Sequence, residues 1–246
     1  MFKTLQKIGK AFMLPIAILP AAGLLLGIGG ALSNPTTVKS YPVLDNPILQ
    51  DIFQVMSAAG NVIFENLALL LSIGLCIGLA KRDKGTAALA GITGFLVMTA
   101  TTKALVVLSR HPDRTIDTGV VGSLVIGAVA VWLHNRYHNI ELPAFLGFFG
   151  GSRFVPIVTA FAGIIIGAFF FVVWPPIQAG MVSAGTAIAD WGVIGTFFYG
   201  FLMRLAGAVG LHHMIYPMLW YTPLGGSEAV AGKTLVGEQK NFFAQL

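Results

Sequence analysis

Four stretches of the chain, residues 12–32, 61–80, 86–108 and 154–174, each carry at most one charged side chain and approach the length that crosses a bilayer. A helix needs roughly 20 apolar residues to span about 30 Å of hydrocarbon. A fifth stretch, 118–133, is shorter but uncharged and bounded by Asp117 and His134, so it is read as a span supported by its neighbours. A sixth, 188–211, is interrupted by Asp190 and Arg204, and glycine and proline crowd its far end. That pattern belongs to broken helices or hairpins that line a site and do not face lipid. The expected fold class is therefore all-α: a polytopic membrane protein of about five to six transmembrane helices, with a broken-helix or hairpin region near the C-terminus.

Composition agrees. Of 246 residues, 56% are hydrophobic and 10% charged, more apolar surface than a soluble domain can hide. The net charge of +5 does not indicate nucleic acid, because the cations stand singly between apolar blocks and form no basic groove. The one cysteine, Cys76, lies inside an apolar run, which rules out a disulfide framework and a multi-cysteine metal site and reads as inert core. Pro15 and Pro20 interrupt the first apolar run and no small-residue cleavage site follows it, so this run is read as mature protein.

Lys and Arg in short loops mark the cytoplasmic side. Lys3, Lys7 and Lys10 precede the first span, whereas the next connection, 33–60, has only Lys39 against Asp45 and Asp51. Lys81, Arg82 and Lys84 then crowd a tight turn, Arg110 and Arg114 are balanced by Asp113 and Asp117, and Arg136 and Arg153 face Glu141. The alternation predicts a cytoplasmic N-terminus. Phe2, Leu5 and Ile8 recur at helical spacing opposite the first lysines, which reads as an interfacial helix over residues 1–11, with a disordered tail as the alternative. Three GxxxG pairs, Gly23/Gly27, Gly74/Gly78 and Gly163/Gly167, permit close helix approach, although 30 glycines make chance the simpler account of any one.

Catalytic templates fail: the sequence has no Walker-type phosphate loop, GxSxG or HExxH, so no cofactor and no metal is expected. What remains are ionisable groups inside apolar segments, which a bilayer makes costly and which are functional candidates for that reason. Glu65, placed near the outer end of the second span, can bind a sugar hydroxyl or a cation, or satisfy a helix end. Arg204, within Phe201-Leu202-Met203-Arg204-Leu205, presents donors suited to a hydroxylated or phosphorylated ligand, or snorkels to the interface. His212 and His213 are followed by Tyr216, Trp220 and Tyr221, and aromatic faces beside polar donors suit a sugar as well as they suit an interfacial belt. Consecutive helical histidines point about 100° apart, so one of the pair at most is expected to face a ligand. His111, His134 and His138 flank spans and are read as surface histidines.

The segments Leu14-Pro15-Ile16-Ala17-Ile18-Leu19-Pro20-Ala21-Ala22-Gly23, Ile63-Phe64-Glu65-Asn66-Leu67, Asn139-Ile140-Glu141-Leu142-Pro143, Phe148-Phe149-Gly150-Gly151-Ser152-Arg153-Phe154-Val155-Pro156 and Gly210-Leu211-His212-His213 resemble, in order, the glucose, maltose and N-acetylglucosamine branch of phosphotransferase-system enzyme IIC. The resemblance covers essentially the whole chain. It implies a homodimeric, multi-pass permease of the bacterial cytoplasmic membrane that binds a hexose, glucose by default, and moves it inward. A phosphocysteine on the partner IIB, supplied through enzyme I, HPr and IIA, then phosphorylates the sugar. By position, His212 would bond the sugar, with Arg204 at the same site and His213 and Glu65 as further candidates.

Two departures stand out. Ser152 occupies a position where the family has Lys or Arg, and the family's Gly-[Ile/Val]-Thr-Glu motif is absent, since Gly91-Ile92-Thr93 is followed by Gly94. The IIB cysteine motif is missing too. The chain is therefore read as an enzyme IIC membrane domain incomplete on its C-terminal side. Two functions follow: a group-translocating sugar permease module, or a truncated remnant that dimerises or associates with intact permease without transporting. Ion-coupled transport would require repeated half-chains, and none is visible.

Overall fold

A computed structural model describes residues 9, 11–13, 15–109, 116–208, 227–230 and 233–236. The described chain is helical apart from one small hairpin. Its helices are α1 (Leu19–Ser33), α2 (Pro35–Ser40), α3 (Pro47–Glu65), α4 (Leu67–Leu79), α5 (Lys84–Leu108), α6 (Gly119–Tyr137), α7 (Phe154–Asp190) and α8 (Val193–Ala208). Two short strands, β1 (Ser227–Val230) and β2 (Lys233–Val236), pair antiparallel. Among the described residues, three segments are long and apolar enough to cross a membrane: Lys84–Leu108, Gly119–Tyr137 and Gly151–Gly180. The bent pair α3–α4 makes a fourth, and α1 is a shorter apolar helix.

The first apolar run is helical in two pieces. Pro20 has no N–H to offer, and the chain turns at residues 17–18 before α1 begins. The expected loop 33–60 is instead mostly helix. Asn46 accepts the Ile48 N–H at 3.0 Å, Pro47 takes the first turn, and α3 runs 19 residues to Glu65. Hence the second span is not the straight segment 61–80 but two helices meeting at 55° around Asn66. The fourth expected span also runs on: α7 has 37 residues, about 55 Å, and continues through Pro175 and Pro176 to Asp190. Trp174 donates its indole N–H to the Asp117 carbonyl at 2.8 Å there, and Gln178 accepts the Asp117 N–H, so the chain just before α6 grips the helix where its prolines weaken it. Gly192, at φ +53°, then turns the chain into α8.

Glycine decides the helix contacts. A Cβ added at Gly29 would sit 2.5 Å from the Ser57 nitrogen, and one at Gly60 2.5 Å from the Leu26 nitrogen, so α1 and α3 lie backbone to backbone in antiparallel sense. Gly163 and Gly167 do the same for α7 against the Gly94 and Met98 carbonyls of α5, at 2.9 and 2.7 Å. Gly78 abuts Ala11, and Gly74 meets the Pro15 ring at 2.7 Å. Two of the three GxxxG pairs are therefore contacts within the chain and not accidents of composition. Ser72 donates to the Gly91 carbonyl at 3.2 Å and Cys76 Sγ lies 3.7 Å from the Gly127 carbonyl, which seats α4 between α5 and α6. Cys76 is fully buried, as expected of inert core.

The outer faces stay apolar. Leu24, Ile165 and Val172 are 65%, 71% and 70% exposed, a surface suited to lipid. Ala11 beside Gly78 places the N-terminal segment at the same end of the bundle as the 80–84 turn and the α6–α7 loop, while Asp117 and Trp174 mark the opposite end. The expected interfacial helix 1–11 falls almost wholly outside the described residues.

Candidate functional site

Of the four residues singled out from the sequence, two lie in the described chain. Glu65 sits at the α3–α4 elbow, not at the outer end of a span, and its Oε1 accepts the Asn61 side-chain N–H at 2.8 Å. Asn66, next in sequence, donates its side-chain amide to the Val62 carbonyl at 2.8 Å. The elbow therefore holds a carboxylate and two amides, and Glu65 itself is exposed there. Arg204 is exposed on α8. His212, His213, His111 and the aromatic run Tyr216 to Tyr221 lie outside the described residues. The described partner of Glu65 is Asn61, and Arg204 takes no part in that contact.

A second polar constellation lies at the end of the bundle that carries the 80–84 turn. His134 is fully buried, not a surface histidine, and its Nε2 donates to the Arg82 carbonyl at 2.7 Å. A carbonyl can only accept, so Nε2 bears the proton. One turn on, His138 stacks on His134 with ring centroids 5.5 Å apart and donates Nδ1–H to the His134 carbonyl at 3.1 Å. His134 Nδ1 and His138 Nε2 are buried without a partner among the described residues. Asn135 completes the clamp: its Oδ1 accepts the Lys81 N–H at 2.9 Å and its Nδ2 donates to the Leu79 carbonyl at 3.3 Å.

Above this clamp opens a cleft of about 1010 Å³, lined by Arg82, Asp83, His138, Asn139, Glu141 and Ser152 among others. The Asp83 carboxyl is held below its usual range, first by the Thr86 hydroxyl at 2.7 Å, then by the Thr86 N–H, with His134 and the Ser152 hydroxyl adding to it. Asp83 also stands in the left-handed region at φ 43° and caps α5. The wall opposite is a pair of 3₁₀ turns, Ala144–Phe149 and Gly151–Arg153, closed by the Gly151 N–H donating to the Ile140 carbonyl at 2.8 Å. Spacing alone carried a signal for this pair: His134 and His138 are four apart in the last turn of an apolar helix, hence on one face.

Compared with models of protein families, residues 9–245 match the family described as phosphotransferase system, EIIC.

Proposed function

The chain belongs to the phosphotransferase system EIIC family, and from that membership we propose that it is the permease subunit that binds a hexose, glucose by default, and delivers it to a phosphorylated IIB partner. The observation that carries the reading is the family match across residues 9–245, on a bundle of apolar helices joined by close glycine contacts. The glucose, maltose and N-acetylglucosamine branch is the finer assignment, supported by the Gly210-Leu211-His212-His213 run and the Asn139-to-Pro143 segment.

In this reading His212 and Arg204 hold the sugar, with His213 and Glu65 as further contacts. Arg204 offers a planar fork of donors to hydroxyls, and an arginine exposed within an apolar helix needs a polar companion or an aqueous cavity in the bilayer. The carboxylate at the α3–α4 elbow suits the same ligand, since a carboxylate accepts from sugar hydroxyls. Transfer then needs no catalytic residue on this chain: a sugar hydroxyl attacks the phosphorus of the IIB phosphocysteine, the S–P bond breaks as the O–P bond forms, and the hydroxyl proton is lost to water or base. The chain is assigned to the bacterial cytoplasmic membrane as a homodimer, with its N-terminus and the Arg82 end of the bundle on the cytoplasmic side, the side favoured by Lys81, Arg82, Lys84, Arg136 and Arg153.

Binding of labelled glucose, N-acetylglucosamine and maltose to the purified chain tests this. Saturable binding that a His212→Ala variant loses is expected. Absence of binding to all three would sink the permease reading and favour a chain that only associates with intact permease.

A further inference from the structure

The α6–α7 loop presents a surface that the permease reading leaves without a role. Phe145 and Phe148 are 83% and 71% exposed, yet their loop is tightly braced. The Leu146 N–H donates to the Pro143 carbonyl at 2.8 Å, and Arg153 donates to the Phe148 carbonyl at 3.1 Å while its guanidinium lies 4.8 Å from the Phe148 ring centroid. An exposed aromatic ring held beside arginine, as Phe148 is, has the composition of an interface hot spot, because little of its side-chain freedom is lost on binding.

The charge around these rings is one-sided. Lys81, Arg82, Lys84, Arg136 and Arg153 are all exposed at this end, while the nearby acids are Asp83, engaged by Thr86, and Glu141. Between the loop backbone at Gly147 to Ser152 and the turn at Arg82 and Asp83 lies the cleft of about 1010 Å³.

We propose that this face, with Phe145, Phe148 and Arg153 as anchors and Lys81, Arg82 and Lys84 as the charged rim, is the docking surface for phosphorylated IIB. The assignment rests on the reading above that IIB is the phosphoryl donor. A phosphoryl group carries close to two negative charges near neutral pH, so the face of the donor that presents it complements this rim. Anionic lipid headgroups share that charge chemistry. The hollow favours a shaped protein, since a flat anionic bilayer surface has nothing to fill it.

The test uses the purified chain in phosphatidylcholine nanodiscs, titrated with IIB of the same system in phosphorylated and unphosphorylated forms. Two double variants, Phe145→Ala with Phe148→Ala and Lys81→Glu with Lys84→Glu, are compared with the unchanged chain, and labelled-sugar binding is followed in parallel. Tighter binding of the phosphorylated form is expected, with each double variant weakening it about tenfold or more and leaving sugar binding within about twofold. The proposal is overturned if both variants bind phosphorylated IIB like the unchanged chain. It is overturned equally if their only defect is weaker association with nanodiscs containing phosphatidylglycerol, which would make the loop a lipid anchor. Loss of sugar binding by the unchanged chain would count against the permease reading, separately from this one.

Discussion

The imidazole of His134, fully buried in the last turn of α6, donates to the backbone carbonyl of Arg82 at 2.7 Å and so fixes the α4–α5 turn to a helix 52 residues further along the chain. That bond acts beside the Asn135 clamp on Lys81 and Leu79, and the cap at Asp83 follows directly on the turn it holds.

Replacing His134 with alanine removes the donor, leaves a cavity beside His138, and strips the Arg82 carbonyl of its described partner. A loss of about 2–4 kcal/mol is expected. It would appear as a lower Tm in detergent, with His134→Asn, which keeps a donor, intermediate. An unchanged Tm for the alanine variant would show that the bond does not hold the turn.

The glycine contacts separate positions that look alike in sequence. At Gly60 a Cβ meets backbone atoms of Leu26 and Ala22 at 2.5 and 2.6 Å, so Gly60→Ala forces α1 and α3 apart. A destabilisation of about 1–3 kcal/mol is expected. A methyl added at Gly180 meets nothing within 4 Å, so Gly180→Ala is expected to be neutral or to stabilise by about 0.5–1 kcal/mol through helix propensity. Thermal unfolding of the two variants side by side decides it, and equal effects would refute the close approach.

Asp83 links the end face to pH. Its folded pKa is lowered by Thr86, so its contribution is present above the ordinary aspartate range and is lost as pH falls through the lowered folded value. Asp83→Ala removes the cap of α5 at about 1 kcal/mol, and Asp83→Asn, which tolerates the left-handed backbone and can still accept from the Thr86 N–H, loses less. Ser152 adds to the hold on this carboxylate. Ser152→Lys is therefore expected to pair with Asp83 and to stabilise by at most about 1 kcal/mol, an increment that high salt removes. A salt-independent change would show that the lysine does not reach Asp83.

Long apolar runs made the helical membrane fold legible, and α5 and α6 lie close to where hydropathy placed them. What hydropathy could not show was the course of the chain between spans. α3 carries Gln50, Asp51 and Gln54 on the same helix as Ile52 and Val55, so a test for uninterrupted apolar length read it as loop up to residue 60. The fourth expected span ends at residue 174, and the sequence cannot show that Trp174 and Gln178 meet Asp117 across the bundle. His134 passed for a surface residue for the same reason: its partner is a backbone carbonyl, which leaves no trace in a motif. Of the sugar-site candidates, His212 and His213 lie outside the described residues, and Glu65 and Arg204 stand on separate helices, α3 and α8.

Glu65 is the candidate whose role stability and binding can separate. Its one described bond, from the Asn61 amide, is made within a single helix and survives in Glu65→Gln, where the side-chain carbonyl still accepts. The substitution also removes a carboxylate from an apolar segment, where charge is costly. A structural role therefore predicts a Tm that is unchanged or higher and unaltered sugar binding. A role in holding the sugar predicts the same Tm with hexose affinity reduced by about 1.5–3 kcal/mol, the usual worth of a hydrogen bond to a charged group. Isothermal titration with the bound hexose, run on Glu65→Gln beside Arg204→Lys, tells the two apart: if Glu65→Gln binds as tightly as the unchanged chain, the elbow carboxylate is no sugar ligand and remains a helix-end group.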